Sequence, residues 1–246
     1  DGVGFADLDQ LQDVVLSSQL NTVDLALDDV LADLCPVGTL LSSSGSLVDI
    51  SEACTVLAAW DRTNNLDSVG GHIWREFWRK VSGATVDIWL TPFDTSDPVN
   101  TPRDLNTASP EVQMAFADGV EVLEDAGVAM DATIASLQVS GVHDDVPLFG
   151  GESFIGSFTI AASDGLDENG QYPVTYGNSY IQTVTWDDNG DPVAEGFVTY
   201  SQSTDPASPY FQDMTEAYSQ KDWIQWRFTE AQIAADPNLS EFRVFE

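Results

Sequence analysis

The run Asp187-Asp188-Asn189-Gly190-Asp191 is the stretch whose composition most resembles a cation-binding loop. Closely spaced Asp and Asn side chains supply the oxygen ligands that Ca²⁺ takes in proteins. The run lacks the later bidentate acid of an EF-hand loop, and it lies between two segments with the composition of strands. Asn-Gly provides the positions at which a tight hairpin turn needs φ above zero. We therefore predict a hairpin turn here and no metal site.

The two histidines, His72 and His143, are the next candidates for chemistry. A Ser/His/Asp triad could use His143, which is flanked by Asp144 and Asp145. No GxSxG elbow accompanies it, so we expect a histidine in a surface loop instead. His72 with Arg75 could face a substrate. The aromatic spacing around them favours the alternative, a core helix whose arginines pair with carboxylates.

Acidic side chains dominate the 246 residues, with 41 Asp and Glu against 8 Lys and Arg and a net charge of −33. Every acid has another nearby, so no carboxylate pair of the kind that glycosidases use stands out. Self-repulsion on this scale is relieved by salt, which favours a halophilic or marine protein. An ordinary acidic secreted protein is the alternative. A nucleic-acid partner and an anionic membrane surface are both disfavoured, because each requires a basic patch.

Cys35 and Cys54 are the two cysteines, and a Gly/Ser-rich connection lies between them. An even number of cysteines in a chain of secreted character favours a disulfide that closes a short loop. Two buried free thiols are the alternative. A zinc site is disfavoured, because the spacing contains no CxxC and both histidines are remote in sequence.

Hydrophobic periodicity predicts an α+β chain. Residues 1–140 should be mainly helical, and residues 141–246 should form strands with short helices, all within a single segment, 1–246. Helices are expected at 7–34 with a break at 21–22, and at 51–60, 71–80, 109–138 and 229–233. Residues 36–50 are expected as a loop, and strands are expected at 153–155, 158–160, 180–186, 193–200 and 223–226. No apolar run is long enough to span a membrane.

Short segments spread along the chain form an ordered set. They are Trp60-Asp61-Arg62, Trp74-Arg75-Glu76-Phe77-Trp78, Gly177-Asn178-Ser179-Tyr180, Tyr200-Ser201-Gln202-Ser203, Ser208-Pro209-Tyr210 and Phe228-Thr229-Glu230-Ala231-Gln232-Ile233. In this order they resemble the C-terminal portion of the β-subunit in the penicillin amidase and acyl-homoserine-lactone acylase family of N-terminal nucleophile hydrolases. That family often has a histidine before the double glycine, where this chain has Phe149.

The resemblance implies the C-terminal part of an αββα sandwich. The hairpin at 180–200 would lie in one sheet, and the helices at 7–34 and 109–138 would pack outside. In that family the nucleophile is a serine at the start of the β-subunit, and its own α-amine is the base. No position here matches that serine, so the catalytic residues are expected upstream of Asp1, and calcium is expected elsewhere in the assembly.

The same resemblance implies a periplasmic or extracellular hydrolase. It would cleave the amide bond of an acylated small molecule such as a penicillin or an N-acyl-homoserine lactone. Its partner chains would be the α-subunit and the N-terminal part of the β-subunit. The alternative is a salt-adapted extracellular binding or surface-layer domain without enzymatic activity.

Overall fold

A computed structural model describes residues 7–84, 86–143 and 146–244. The chain divides into two compact units. One is Val15–Asn178, and the other joins the residues up to Val14 with those from Ser179 onward. Helices and small sheets are mixed, which is the α+β architecture that the sequence predicts. No helix within the described ranges is both long and apolar enough to cross a membrane.

The described chain begins with α1 (Leu8–Val15). The larger unit, Val15–Asn178, then contains α2 (Asn21–Asp29), α3 (Ser51–Ala59), α4 (Gly71–Val81), α5 (Pro110–Asp125) and α6 (Ile134–Leu137). Its strands are β1 (Thr39–Leu41), β2 (Leu47–Asp49), β3 (Trp89–Thr91), β4 (Arg103–Leu105), β5 (Gln138–Ser140), β6 (Ala161–Ala162), β7 (Tyr172–Val174) and β8 (Tyr176–Gly177). They form two-stranded sheets that pair β1 with β2, β3 with β4, β5 with β7, and β6 with β8.

Aromatic side chains of α4 form the centre of the core in the larger unit. Trp74 and Phe77 are fully buried, and Trp78 is nearly so. The rings of Trp74 and Trp78 stack with centroids 5.4 Å apart. Phe77 meets Phe116 of α5 edge to face at 5.2 Å. Positions 74, 77 and 78 share one face of a helix, so the prediction of a core helix is confirmed.

Helix α5 crosses α4 at Gly119. A Cβ atom at this position would lie 2.8 Å from the backbone nitrogen of Phe77 and 3.0 Å from its Cα. These are backbone atoms of a buried helix, and unlike the end of a side chain they cannot move away by a change of rotamer. The missing side chain therefore sets the distance between the two helices.

The helix predicted over 109–138 is wrong in its second half. Helix α5 ends at Asp125, and Gly127 follows with a φ of +67°. The N–H of Val128 donates to the Leu123 carbonyl at 2.9 Å, and the N–H of Gly127 donates to Glu124 at 3.0 Å. This pair of bonds is the Schellman ending of a helix. The apolar spacing beyond Gly127 continues into the separate helix α6, and this continuity misled the prediction.

Residues 36–50 are not the predicted loop, and residues 153–155 are not the predicted strand. Strands β1 and β2 pair antiparallel inside the former range, with Leu40 opposite Val48. Each strand has three residues with one buried side chain, which is too short an alternation to be recognised from sequence. Residues Ser153–Ile155 form a 3₁₀ turn that ends at the left-handed Gly156.

A disulfide joins Cys35 to Cys54, with Cα atoms 5.5 Å apart. A π-helical segment, Val30–Leu34, extends α2 and leads into the 3₁₀ turn Cys35–Val37, which begins with Cys35. Cys54 lies in α3. The β1–β2 hairpin lies between them in the sequence. On the chain-entropy model, a disulfide that closes a loop of this size raises the free energy of unfolding by about 3 kcal/mol.

The smaller unit is built on the antiparallel sheet of β9 (Tyr180–Trp186), β10 (Pro192–Val198) and β11 (Ile224–Trp226), in the order β11-β10-β9. The predicted hairpin is confirmed, although β10 ends at Val198 and not at Tyr200. Phe197 is fully buried and contacts the ring of Trp223 at 4.6 Å. Helices α7 (Asp213–Ser219) and α8 (Glu230–Ala234) follow. Helix α8 corresponds to the helix predicted at 229–233, and it begins with a capping box of Thr229 and Gln232.

Adding one methyl group at Gly119 tests whether this residue sets the distance between α4 and α5. We expect Gly119→Ala to lower the free energy of unfolding by about 1–3 kcal/mol, because the Cβ atom would displace the α4 backbone. The matched control is Gly83→Ala, whose Cβ would have its nearest neighbour at 3.6 Å. Denaturant titration of both variants in the full-length protein measures the difference. Equal stability of the two variants would contradict a close crossing at Gly119.

Candidate functional site

The acidic run at 187–191 is a hairpin turn, as predicted. Oδ1 of Asp187 accepts the backbone N–H groups of Asn189 at 2.8 Å and Asp191 at 2.9 Å. These bonds, the one from Asp191 foremost, lower the pKa of Asp187. Across the described residues, no group of three or more His, Cys, Asp or Glu could hold a metal ion.

Arg75 of α4 is the centre of a buried ionic network in the larger unit. Its side chain is 4% exposed. One guanidinium nitrogen, Nη1, contacts Glu76, and the other, Nη2, lies 2.7 Å from Oε1 of Glu152. Nη2 also donates to the Ser163 carbonyl oxygen at 3.1 Å, and the N–H of Ser163 donates to the same Glu152 oxygen at 3.0 Å. Both carboxylates are buried as well.

Tyr172 of β7 completes the network from another side. Its hydroxyl donates to Oε1 of Glu76 at 3.0 Å, and its ring centroid lies 4.1 Å from Cζ of Arg75. Burial, reinforced by Glu76, raises the pKa of Tyr172 far above its usual value, so the hydroxyl keeps its proton. Burial alone would lower the pKa of Arg75, but Tyr172, Glu76 and Glu152 together outweigh it and the pKa is raised.

The guanidinium, the two carboxylates and the Tyr172 hydroxyl form their hydrogen bonds with one another. The Arg75 network, defined as Arg75, Glu76, Glu152, Ser163 and Tyr172, fastens α4 to the segment at 152–163 and to β7. A carboxylate held by a permanent cation and a second donor is poorly suited to accept a proton from a substrate. The network can therefore position these segments, and it does not resemble a catalytic centre.

His72 lies in the first turn of α4, and 1% of its surface is exposed. Its Nε2 atom is 3.1 Å from the carbonyl oxygen of Ala129. A carbonyl can only accept, so Nε2 carries the ring proton. Burial lowers the pKa of His72 to about 4. The histidine is therefore a neutral core residue at physiological pH, and the core interpretation of the His72 and Arg75 segment is confirmed.

The expectation that His143 lies in a surface loop is wrong, because 1% of its surface is exposed. Oγ of the buried Ser140 lies 3.1 Å from Nδ1 of His143. The same oxygen accepts the backbone N–H groups of Val142 at 3.2 Å and His143 at 3.0 Å. With both lone pairs engaged, the Ser140 hydroxyl is not poised as a nucleophile. Asp144 and Asp145, the flanking acids of the triad hypothesis, lie outside the described residues.

Glu152, Ser163 and Tyr172 were not singled out from the sequence. The available signal was Arg75 itself, which lies in an aromatic stripe that had to be buried. A buried arginine requires acidic and carbonyl partners. Sequence alone does not say which of 41 acids takes that place.

Removing the central cation tests the Arg75 network. We expect Arg75→Met to cost about 3–5 kcal/mol, because two buried carboxylates would lose their counter-charge. The matched control is Arg62→Met. Arg62 pairs with Asp28 at the surface, where their side chains are 41% and 77% exposed, and such pairs contribute about 1 kcal/mol or less. Denaturant titration of the full-length protein compares them, and similar losses in both variants would contradict a buried network.

The low pKa of His72 predicts a pH-dependent contribution to stability. The unfolded chain binds a proton near pH 6.5, and the folded chain binds one only near pH 4. Stability from this group is therefore full above pH 6.5 and falls as the pH drops towards 4. The loss is about 3 kcal/mol at most, at 1.36 kcal/mol per pKa unit.

His72→Gln keeps a donor for Ala129 without a titrating group. We expect its unfolding free energy to fall less than that of the wild type between pH 6.5 and pH 4. Denaturant titrations at several pH values measure the two curves. Parallel curves would show that His72 is protonated in the fold.

Comparison with known proteins places the chain in a family. It matches the model of the family described as Penicillin amidase over residues 6–235. It is 33% identical to aculeacin-A acylase of Actinoplanes utahensis over 250 residues, which cover 99% of this chain and 30% of that protein. It is 34% identical to the acyl-homoserine lactone acylase PvdQ of Pseudomonas syringae pv. tomato over 245 residues, which cover 95% of this chain and 30% of that protein.

A second PvdQ acylase, from Pseudomonas fluorescens strain Pf0-1, is 32% identical over 239 residues, or 95% of this chain and 29% of that protein. The chain thus spans about 30% of the length of the curated relatives that it matches. Each of these alignments covers nearly the whole chain, including both compact units. The chain belongs to the penicillin amidase family.

Proposed function

We propose that this chain is part of an acylase that hydrolyses the amide bond of an acylated small molecule, such as a penicillin or an N-acyl-homoserine lactone. The observation that carries the proposal is its identity of 31–34% with proteins named as acylases, over nearly its whole length. The nucleophile is an N-terminal serine on a preceding segment or chain. Its α-amine acts as the base, in the manner of N-terminal nucleophile hydrolases.

The described residues support a structural role for this chain in the acylase, without a part in proton transfer. Their histidines are buried, His72 is neutral, and the Ser140 hydroxyl is occupied by backbone donors. Such groups do not supply proton transfer to a substrate. The chain provides a scaffold within an αββα sandwich, and the catalytic and substrate-binding groups come from the other part of the protein. The α-subunit and the N-terminal part of the β-subunit are its partners, and calcium binds outside this chain.

The proposed location is the periplasm or the extracellular space. The disulfide between Cys35 and Cys54 supports it, because disulfides persist in oxidising compartments. The net charge of −33 supports a saline setting, where ions screen self-repulsion. The same charge favours the second candidate function, a salt-adapted binding or surface-layer domain without catalysis.

Acyl release by the full-length protein distinguishes the two candidates. We expect hydrolysis of a chromogenic acyl amide, and mass spectrometry should find a chain that begins with serine. Substituting that serine by alanine should lower the rate by at least about 10³-fold, because the covalent route is removed. Activity that survives the substitution would contradict the mechanism. A folded, processed protein inactive on a broad panel of acyl amides would favour the binding domain.

A further inference from the structure

Asn-Gly occurs twice in the sequence, at Asn169-Gly170 and at Asn189-Gly190. The first pair lies in the loop between β6 and β7, and the second lies in the turn between β9 and β10. At an Asn-Gly pair the glycine nitrogen can attack the asparagine side chain, because glycine has no Cβ atom to hinder the approach. The surroundings of each pair decide whether this reaction proceeds.

The two turns, 167–171 and 187–191, have the same internal hydrogen bonds. In each, the Oδ1 atom of the first residue, Asp167 or Asp187, accepts the asparagine N–H, at 2.9 Å and 2.8 Å respectively. The same oxygen accepts the N–H of the fifth residue at 2.9 Å in both turns. The glycine N–H donates to the backbone carbonyl of the aspartate, at 3.1 Å and 2.9 Å. Local geometry therefore does not distinguish the two pairs.

The 167–171 turn is held by contacts from outside itself. Gly170 is buried, and a Cβ atom on it would lie 3.2 Å from a methyl carbon of Val128. The side chain of the next residue, Gln171, donates to the Ser136 carbonyl oxygen at 3.2 Å. Ring closure requires the glycine nitrogen and the asparagine side chain to turn towards each other. The packing of Gly170 and the bond from Gln171 oppose this movement.

The 187–191 turn has much more freedom. All five of its residues are exposed. Within the part of the chain that the structure describes, a Cβ atom on Gly190 would meet no atom closer than 4 Å. The side-chain nitrogen of Asn189 is 3.5 Å from Oδ2 of Asp187, whereas the corresponding distance in the other turn is 3.2 Å. Exposed turn tips open more readily than packed loops, so this turn can reach the geometry of ring closure.

We propose that Asn189 is a site of spontaneous deamidation and that the fold protects Asn169 from the same reaction. The backbone nitrogen of Gly190 loses its proton and forms a bond to Cγ of Asn189. The side-chain amide nitrogen takes up a proton and leaves as ammonia. Water then opens the resulting succinimide ring at either of its two carbonyl groups. One opening gives aspartate, and the other gives isoaspartate, in which the main chain runs through the former side chain.

Both products would alter the hairpin of β9 and β10. Either one places a further carboxylate beside Asp187, Asp188 and Asp191, where like charges repel. Isoaspartate also adds one atom to the main chain of the turn. The N–H of Asp187 donates to the Asp191 carbonyl oxygen at 2.9 Å across this turn. Since turn length fixes the register of a hairpin, we expect the isoaspartate form to loosen the pairing next to the turn.

Ageing the full-length protein in mildly alkaline buffer tests the proposal, because the attacking nitrogen must first lose its proton. Peptide mass spectrometry with electron-transfer fragmentation measures the conversion at both positions and separates aspartate from isoaspartate. We expect Asn189 to convert more than about tenfold faster than Asn169 in the folded protein, since only the second is held by packing. In the chain unfolded by urea the two rates should become similar.

Equal rates at the two positions of the folded protein, or a faster reaction at Asn169, would overturn the proposal. A difference that persists in urea would overturn it as well, because the neighbouring sequence and not the fold would then be its cause. Asn189→Gln, which lengthens the side chain beyond the five-membered ring, should abolish the conversion at this position. Conversion at position 189 at an undiminished rate in that variant would contradict the succinimide route.

A second variant tests the protection of Asn169 directly. The double substitution Gln171→Ala and Val128→Ala removes both outside contacts of the 167–171 turn. We expect the reaction at Asn169 to accelerate at least about threefold while Asn189 keeps its rate, because only the first turn gains freedom. Circular dichroism confirms that the variant remains folded. An unchanged rate at Asn169 in the folded variant would overturn the assignment of the protection to these contacts.

Discussion

Burial of the Arg75 guanidinium is the constraint on which the larger unit depends. A cation in a protein interior costs several kcal/mol unless its partners are fixed around it. The aromatic face of α4 brings Arg75 inside, because Trp74 and Phe77 on either side of it are fully buried. Its partners then have to come from distant parts of the chain. Glu152 and Tyr172 do so, and the segments that carry them are held against α4.

The opposite requirement acts where α4 meets α5. There the contact is made by the absence of a side chain at Gly119, and the aromatic pair of Phe77 and Phe116 fills the space beside it. The two features have different sensitivities. The Arg75 network depends on charge and tolerates no loss of a partner, whereas the crossing depends on volume and tolerates no added atom.

Strongly periodic or chemically marked elements could be predicted from the sequence. Local patterns predict the core helix α4 from its aromatic stripe, the hairpin of β9 and β10 with its Asn-Gly turn, and the short helix α8. The Schellman ending after Asp125 was missed because apolar spacing continued past it. Burial of His143 and the partners of Arg75 were not predictable, because both arise from contacts between residues far apart in the sequence or from turn geometry.

The acidic residues do more than carry charge. Asp94, Asp167 and Asp187 each accept the backbone N–H two residues later, at 2.8–2.9 Å. Hydrogen bonds from the backbone lower the pKa of all three. Each carboxylate thus organises a turn while it faces water. Part of the negative charge of the chain is therefore also built into its loops.

The disulfide also decides what a single cut in the backbone would do to the chain. The exposed turn between β1 and β2, with Ser43, Ser44 and Gly45 at its tip, lies between Cys35 and Cys54 in the sequence. A single cut in this turn would open the backbone but leave both fragments covalently joined. The nicked chain would stay one molecule, and its two pieces would keep a high effective concentration for each other. The bond thus protects the continuity of the fold as well as its stability.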